Sequence, residues 1–158
     1  RKLRLLNGTH TISVCLAVLK GFDTVYQMMQ DAETAAFVRQ VMMDEIAPSV
    51  PIGDAADLRI FAEEVLDRFA NPNIVHRLIN ITLQATSKMK MRNVPTLRRF
   101  YEKFAKTPAC MARGFAAYVL LTKPLRQEYD LTTLPGFVEE VVAEMKRLPN
   151  QKIDSVTV

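Results

Sequence analysis

Lys2, Asn7 and His10 are the residues in this 158-residue sequence whose types and spacing most invite chemistry. They stand among Leu3, Leu5, Leu6, Ile12 and Val14. On a continuous helix, at about 100° per residue, His10 falls roughly 80° round from Lys2 and Asn7 roughly 140°. All three then share less than half of the circumference. An amine, an amide and an imidazole presented together suit a carbonyl or alcohol oxygen, which Asn and neutral His hydrogen-bond while Lys exchanges its proton. That exchange is helped by an amine sheltered against the leucines, because burial disfavours the charged form. The same residues also read as a solvated lysine, a capping asparagine and a satisfied histidine at a helix start.

A second cluster is Lys88-Met89-Lys90-Met91-Arg92, three cations at alternate positions where the apolar helix period is lost. In an extended segment all three point to one side and form a receptor for a carboxylate. A solvated basic loop fits the composition equally well. His76, the other histidine, follows Asn71-Pro72 and reads as a structural or supporting residue. Two histidines without clustered Cys, Asp or Glu at ligand spacing argue against a zinc site. Cys15 and Cys110 lie far apart in apolar surroundings and suit reduced, buried thiols of a cytoplasmic protein. The methionines, spread along the chain, read as core filler.

The elements that must hold these groups are helices. Residues from about Leu3 to Leu19 form a buried first helix, with Gly21 at its C-terminal cap. Asp31 is expected to cap a second, carrying Phe37, Val38, Val41, Met42 and Ile46 and stopped by Pro48 and Pro51. Asp54 begins a third, whose stripe is Leu58, Phe61, Ala62, Val65, Leu66 and Phe69. A fourth restarts at Pro72 through Ile74, Leu78, Ile79 and Leu83. Thr96 is placed to cap a short helix with Leu97, Phe100, Tyr101 and Phe104, and Pro108 opens another through Met111, Phe115, Tyr118 and Leu121. Thr133 and Pro135 start a last helix presenting Phe137, Val138, Val141, Val142, Met145 and Leu148 on one face, and the tail after Pro149 is expected to be loose.

Composition agrees with an all-α domain of about seven helices: 8% aromatics, no Trp and 5 Gly favour helices over a sandwich or barrel. A hydrophobic share of 49% builds one sizeable core, and residues 1–158 read as a single domain with no linker or repeat. The net charge of +4 comes from Lys and Arg interleaved with Asp and Glu, which argues against a nucleic-acid surface. The longest apolar run, Ile12 to Leu19, is far short of the roughly 20 residues a bilayer span needs, so no membrane partner is expected. The opening Arg1–Leu6 segment lacks the cleavage site of a secretory signal. There is no strand, Gly-rich turn and helix to bind a dinucleotide, and no P-loop.

The run Lys2-Leu3-Arg4-Leu5-Leu6-Asn7-Gly8-Thr9-His10 resembles the K-x(4)-N-x(2)-H signature of the polyol-specific long-chain dehydrogenases, the mannitol dehydrogenase family. Gly21-Phe22-Asp23-Thr24-Val25, Asp44-Glu45-Ile46-Ala47-Pro48, the segment Arg68 to His76, Ser87-Lys88 through Pro95 and Asp130-Leu131 through Gly136-Phe137 extend the likeness, in order, over nearly the whole chain. Within the family it is similar to the branch acting on sugar acids. The resemblance implies an all-α C-terminal domain of a 6-phosphogluconate-dehydrogenase-like two-domain enzyme, with the N-terminal nucleotide-binding domain as its partner in a longer protein. It implies metal-independent hydride transfer between NAD(H) and a sugar-acid or polyol substrate. Lys2 is then the acid/base, Asn7 and His10 orient the reacting oxygen, and Lys88 and Arg92 face the substrate. Reduction of a keto-hexuronate is the reading preferred over a second uronate reductase or a neutral-polyol dehydrogenase. The isolated domain is expected to be inactive. The stretch from Thr122 to Tyr129 is shorter than the family leads one to expect. The rival from another class is a helical interaction module without chemistry.

Overall fold

The computed structural model describes residues 1–122 and 134–148, and every element in them is helical. The expected all-α class holds, with six helices of nine residues or more and three shorter ones among the described residues. The centre is α1 (Lys2–Leu19), in which every residue from Thr11 to Leu19 except Val18 is buried. Helices α3, α4, α5 and α8 and two π turns pack around it. Its first turn emerges from that jacket, leaving Lys2 and Leu3 exposed. The helix ends as its glycine requires: Gly21 at φ +87° lets its own N–H reach Val18 O and the Phe22 N–H reach Ala17 O.

Helix α2 (Val25–Gln30) was not among the expected elements. Its signal is Thr24-x-x-Gln27, a capping box in which the Thr24 hydroxyl accepts from the Gln27 N–H and the Gln27 side chain accepts from the Thr24 N–H. Asp31 caps α3 (Ala32–Gln40) and Asp54 caps α4 (Ala55–Phe69), both as expected. Helix α3 continues into a π turn, Val41–Ile46, before Pro48 ends it in a short 3-10 turn. The stripe of α4 is buried at Leu58, Ala62, Val65, Leu66 and Phe69.

The fourth helix does not restart at Pro72. Asn71 to Arg77 is irregular, and only Leu78–Thr82 is helical (α5), with Ile79 and Leu83 exposed. The backbone there has other partners. The Val25 N–H donates to His76 O, the Leu78 N–H to Asp23 O, and Thr24 pairs with Arg77 in an isolated antiparallel bridge. The basic cluster is likewise not extended: α6 (Ala85–Lys88) runs into a second π turn, Met89–Asn93, and then into α7 (Val94–Phe104). Buried Met89 and Asn93 hold that turn against the core. Thr96 therefore lies inside α7 rather than at its cap, and its hydroxyl donates back to Arg92 O.

Helix α8 (Ala109–Thr122) follows Pro108 as expected and crosses α1 where a side chain would not fit. A Cβ on Gly114 would lie 2.5 Å from both Ile12 Cγ1 and Ile12 O. Helix α9 (Phe137–Arg147) packs on α8 and starts from Gly136, at φ +79°. Its buried face is Phe137, Val141 and the following Leu148, while Val138 and Val142 are exposed rather than part of one apolar face. The expected cap Thr133, the join from Thr122 to Tyr129 and the tail after Pro149 lie beyond the described residues.

Candidate active site

The unbroken run of α1 from Lys2 to Leu19 places Lys2, Asn7 and His10 on one flank, as the spacing required. At about 1.5 Å per residue they span roughly 12 Å along the axis. Their surroundings differ sharply. Lys2 is exposed, so the leucine shelter expected for it is not there. Asn7 is half-buried, and its main-chain carbonyl accepts from the Thr11 hydroxyl at 2.8 Å. His10 lies deepest, its ring stacked on Phe69 at 4.0 Å between centroids and 11° between planes.

His10 Nε2 is shielded and has no hydrogen-bond partner. Buried polar atoms are almost always paired, so such an atom is a natural contact for a ligand or water. Burial, then His76, then Arg92 push the His10 pKa down to about 4. Near neutral pH the ring is therefore uncharged and contributes a hydrogen bond rather than a full charge.

The π turn brings Arg92 to this flank. Arg92 Nη1 donates to Thr11 Oγ1 at 3.1 Å, one residue along α1 from His10. Two further bonds fasten the same turn: Asn93 Nδ2 donates to Gly8 O at 3.0 Å, and Arg4 Nη1 donates to Arg92 O at 2.7 Å and to Met91 O at 3.1 Å. A wide turn leaves carbonyls out of the regular ladder, and Arg4 supplies the donors they lack.

Lys88, four residues before Arg92, shares that side of the helical segment. Its Nζ donates to Ile81 O at 2.9 Å, and partial burial followed by Arg92 lowers its pKa. Lys90 is exposed. The three cations are thus not one row; Lys88 and Arg92 are turned inward by helical geometry, each already bonded on one side.

The other histidine is closer to the site than its sequence position suggests. The rings of His10 and His76 lie 6.0 Å apart and nearly perpendicular, at 82°. His76 was expected to be a structural or supporting residue, and it stands exposed beside His10. Phe69, Arg4 and Asn93 were also not picked out. One apolar, one cationic and one amide side chain, far apart in sequence, gave no signal of a site, and only the crossing of α4 and the π turn over α1 assembles them.

Among the described residues no three His, Cys, Asp or Glu gather to hold a metal. Nor do those residues contain a strand and Gly-rich turn to cradle a dinucleotide phosphate. What they offer is an amine, an amide, a neutral imidazole and a guanidinium along one helix.

Residues 1–128 match the family model described as the mannitol dehydrogenase C-terminal domain. The chain belongs to this family. Like this mannitol dehydrogenase C-terminal domain, two solved structures share the fold. One is a D-sorbitol dehydrogenase in substrate-free form, with a TM-score of 0.70 and 22% identity over 90% of this chain and 30% of that one. The other is a Pseudomonas fluorescens mannitol 2-dehydrogenase in a ternary complex with NAD and D-mannitol, with a TM-score of 0.68 and 23% identity over 93% of this chain and 31% of that one. Curated relatives are nearer in sequence. An altronate oxidoreductase of Bacillus subtilis is 38% identical over 89% of this chain and 29% of its own length. One from Halalkalibacterium halodurans is 37% identical over 75% of this chain and 23% of its own length. The chain spans about a quarter of the length of the curated relatives it matches. These relatives and neighbours are oxidoreductases, named for altronate, mannitol and sorbitol.

Proposed function

We propose that this chain is the substrate-binding and acid/base part of an NAD-dependent oxidoreductase that reduces tagaturonate to altronate. The observation that carries the reading is Arg92, bonded to Thr11 beside the neutral His10 on the signature helix. A cation next to a hydrogen-bonding imidazole suits a substrate with a carboxylate at one end and a reacting carbonyl at the other. The altronate oxidoreductase names of the curated relatives support the same substrate class.

In this reading NADH, held mainly by a nucleotide-binding domain elsewhere in the protein, supplies the hydride. The residues of this chain do the rest. Asn7 and His10 hydrogen-bond the carbonyl oxygen and hold the carbon in line. The Lys2 ammonium gives that oxygen a proton as the carbon–oxygen double bond becomes a C–H and an O–H, and Lys2 is left as the amine. Lys88 and Arg92 hold the carboxylate end. The exposure of Lys2 fits a group that must meet a substrate lying outside this domain's core.

Lys2→Ala in the full-length enzyme is expected to lower kcat by at least two orders of magnitude, the usual scale of a lost general acid. Its unfolding temperature should be unchanged. Arg92→Ala should raise KM for tagaturonate more than it lowers kcat. If Lys2→Ala turns over normally, the acid/base assignment fails. Equal activity on a neutral ketose would instead move the substrate toward mannitol dehydrogenase, and a preference for fructuronate toward fructuronate reductase. A domain without any turnover in its full-length protein would leave the interaction module.

A further inference from the structure

We infer that His76 is a substrate-contact residue, its imidazole meeting the carboxylate of the keto-hexuronate beside His10 and setting the preference for a sugar acid over a neutral sugar. The inference rests on the substrate class proposed above and adds to it a residue outside the signature.

Three observations support it. The first is position: His76 is exposed, and its ring lies 6.0 Å from that of His10. Phe69 covers one face of His10, so a ligand must approach over what remains, and His76 is the exposed polar side chain adjoining it. The second is anchorage. Although Asn71 to Arg77 is irregular, His76 O accepts from the Val25 N–H at 3.0 Å, its N–H donates to Ile74 O at 3.1 Å, and the next residue pairs with Thr24. The main chain is fixed on both sides, while the imidazole forms no hydrogen bond among the described residues. A side chain so placed, touching His10 only through its ring, keeps its hydrogen-bonding atoms available to a ligand. The third is charge. His76 and Arg92 are both near enough to His10 to help lower its pKa. Arg92 already donates to Thr11, and a carboxylate with two oxygens can accept from its remaining N–H groups and from His76.

The test uses the full-length enzyme, with NADH oxidation followed on tagaturonate and on fructose, a neutral ketose of equal carbon number. His76→Ala and His76→Asn should lower kcat/KM for tagaturonate at least tenfold, chiefly through KM, while kcat/KM for fructose moves less than twofold. His76→Lys should recover most of the loss. An unchanged acid-to-neutral ratio in the Ala and Asn variants, or an equal loss on both substrates, overturns the inference. So does unfolding of both variants, which would make His76 a structural residue. If the wild-type enzyme shows no preference for tagaturonate, it is the substrate reading that fails, and the inference falls with it.

Discussion

His10 makes the stability of the protein depend on pH in a definite window. The folded ring takes up a proton only near pH 4, against 6.5 for an ordinary histidine. Between those values the unfolded chain binds more protons than the folded one, so stability rises with pH there. The contribution is complete above about pH 6.5 and is lost as pH falls through 4. At roughly 1.4 kcal/mol per unit it is on the order of 3 kcal/mol at most. Urea midpoints measured from pH 4 to 7 should climb over this range, and His10→Phe should flatten the climb. A slope that survives the substitution would place its origin elsewhere. Asp31 acts lower on the scale: the Thr34 and Lys20 hydrogen bonds hold its pKa near 2, so its stabilisation is lost only as pH falls below the ordinary carboxylate range. The shared flank of Lys2, Asn7 and His10 was legible because helical spacing alone sets it. The contact of His76 with His10 was not, because 65 intervening residues hide it and a single histidine after a turn carries no period.

Two contacts between elements decide how α8 sits. Gly114→Ala would push a methyl group to 2.5 Å from Ile12 O, a backbone atom that cannot swing aside. A loss of about 2–3 kcal/mol is expected, at the upper end for overpacking, read as a lowered melting temperature; a neutral result would mean that α1 and α8 can separate freely. At the start of α8, the buried Glu45 carboxylate accepts from the Cys110 and Met111 N–H groups at 2.8 and 2.7 Å, in the way a cap does. Glu45→Ala strands both donors and should cost about 2–4 kcal/mol in chemical denaturation, whereas Glu45→Gln, which keeps one acceptor, should cost less. Sequence showed Asp31 and Asp54 as caps because each lies next to the helix it serves. Glu45 is 65 residues from Cys110, and such a cap is visible only in three dimensions. The same limit explains the broken fourth helix. Propensity allowed Pro72 to open it, but backbone bonds to Asp23, Thr24 and Val25 claimed the segment instead.

At the scale of the whole molecule, packing on a single axis governs cooperativity. Because α3, α4, α5 and α8 all rest on α1, its amides cannot open without disturbing several neighbours. Native-state hydrogen exchange should find the slowest amides in Ile12–Leu19, exchanging at the rate of global unfolding. Slower exchange in α4 or α9 would show that the core is organised differently. The all-α class and the central apolar helix were plain from composition and period, but the two π turns were not, since an added residue leaves the hydrophobic count unchanged. The second of them sets the aim of Arg92. Each residue turns a helix by about 100°, so the wide loop between Lys88 and Val94 works as a spacer that dials a guanidinium onto its hydroxyl partner. A version of the chain shortened by one residue there would wind more evenly and swing that positive charge toward bulk water.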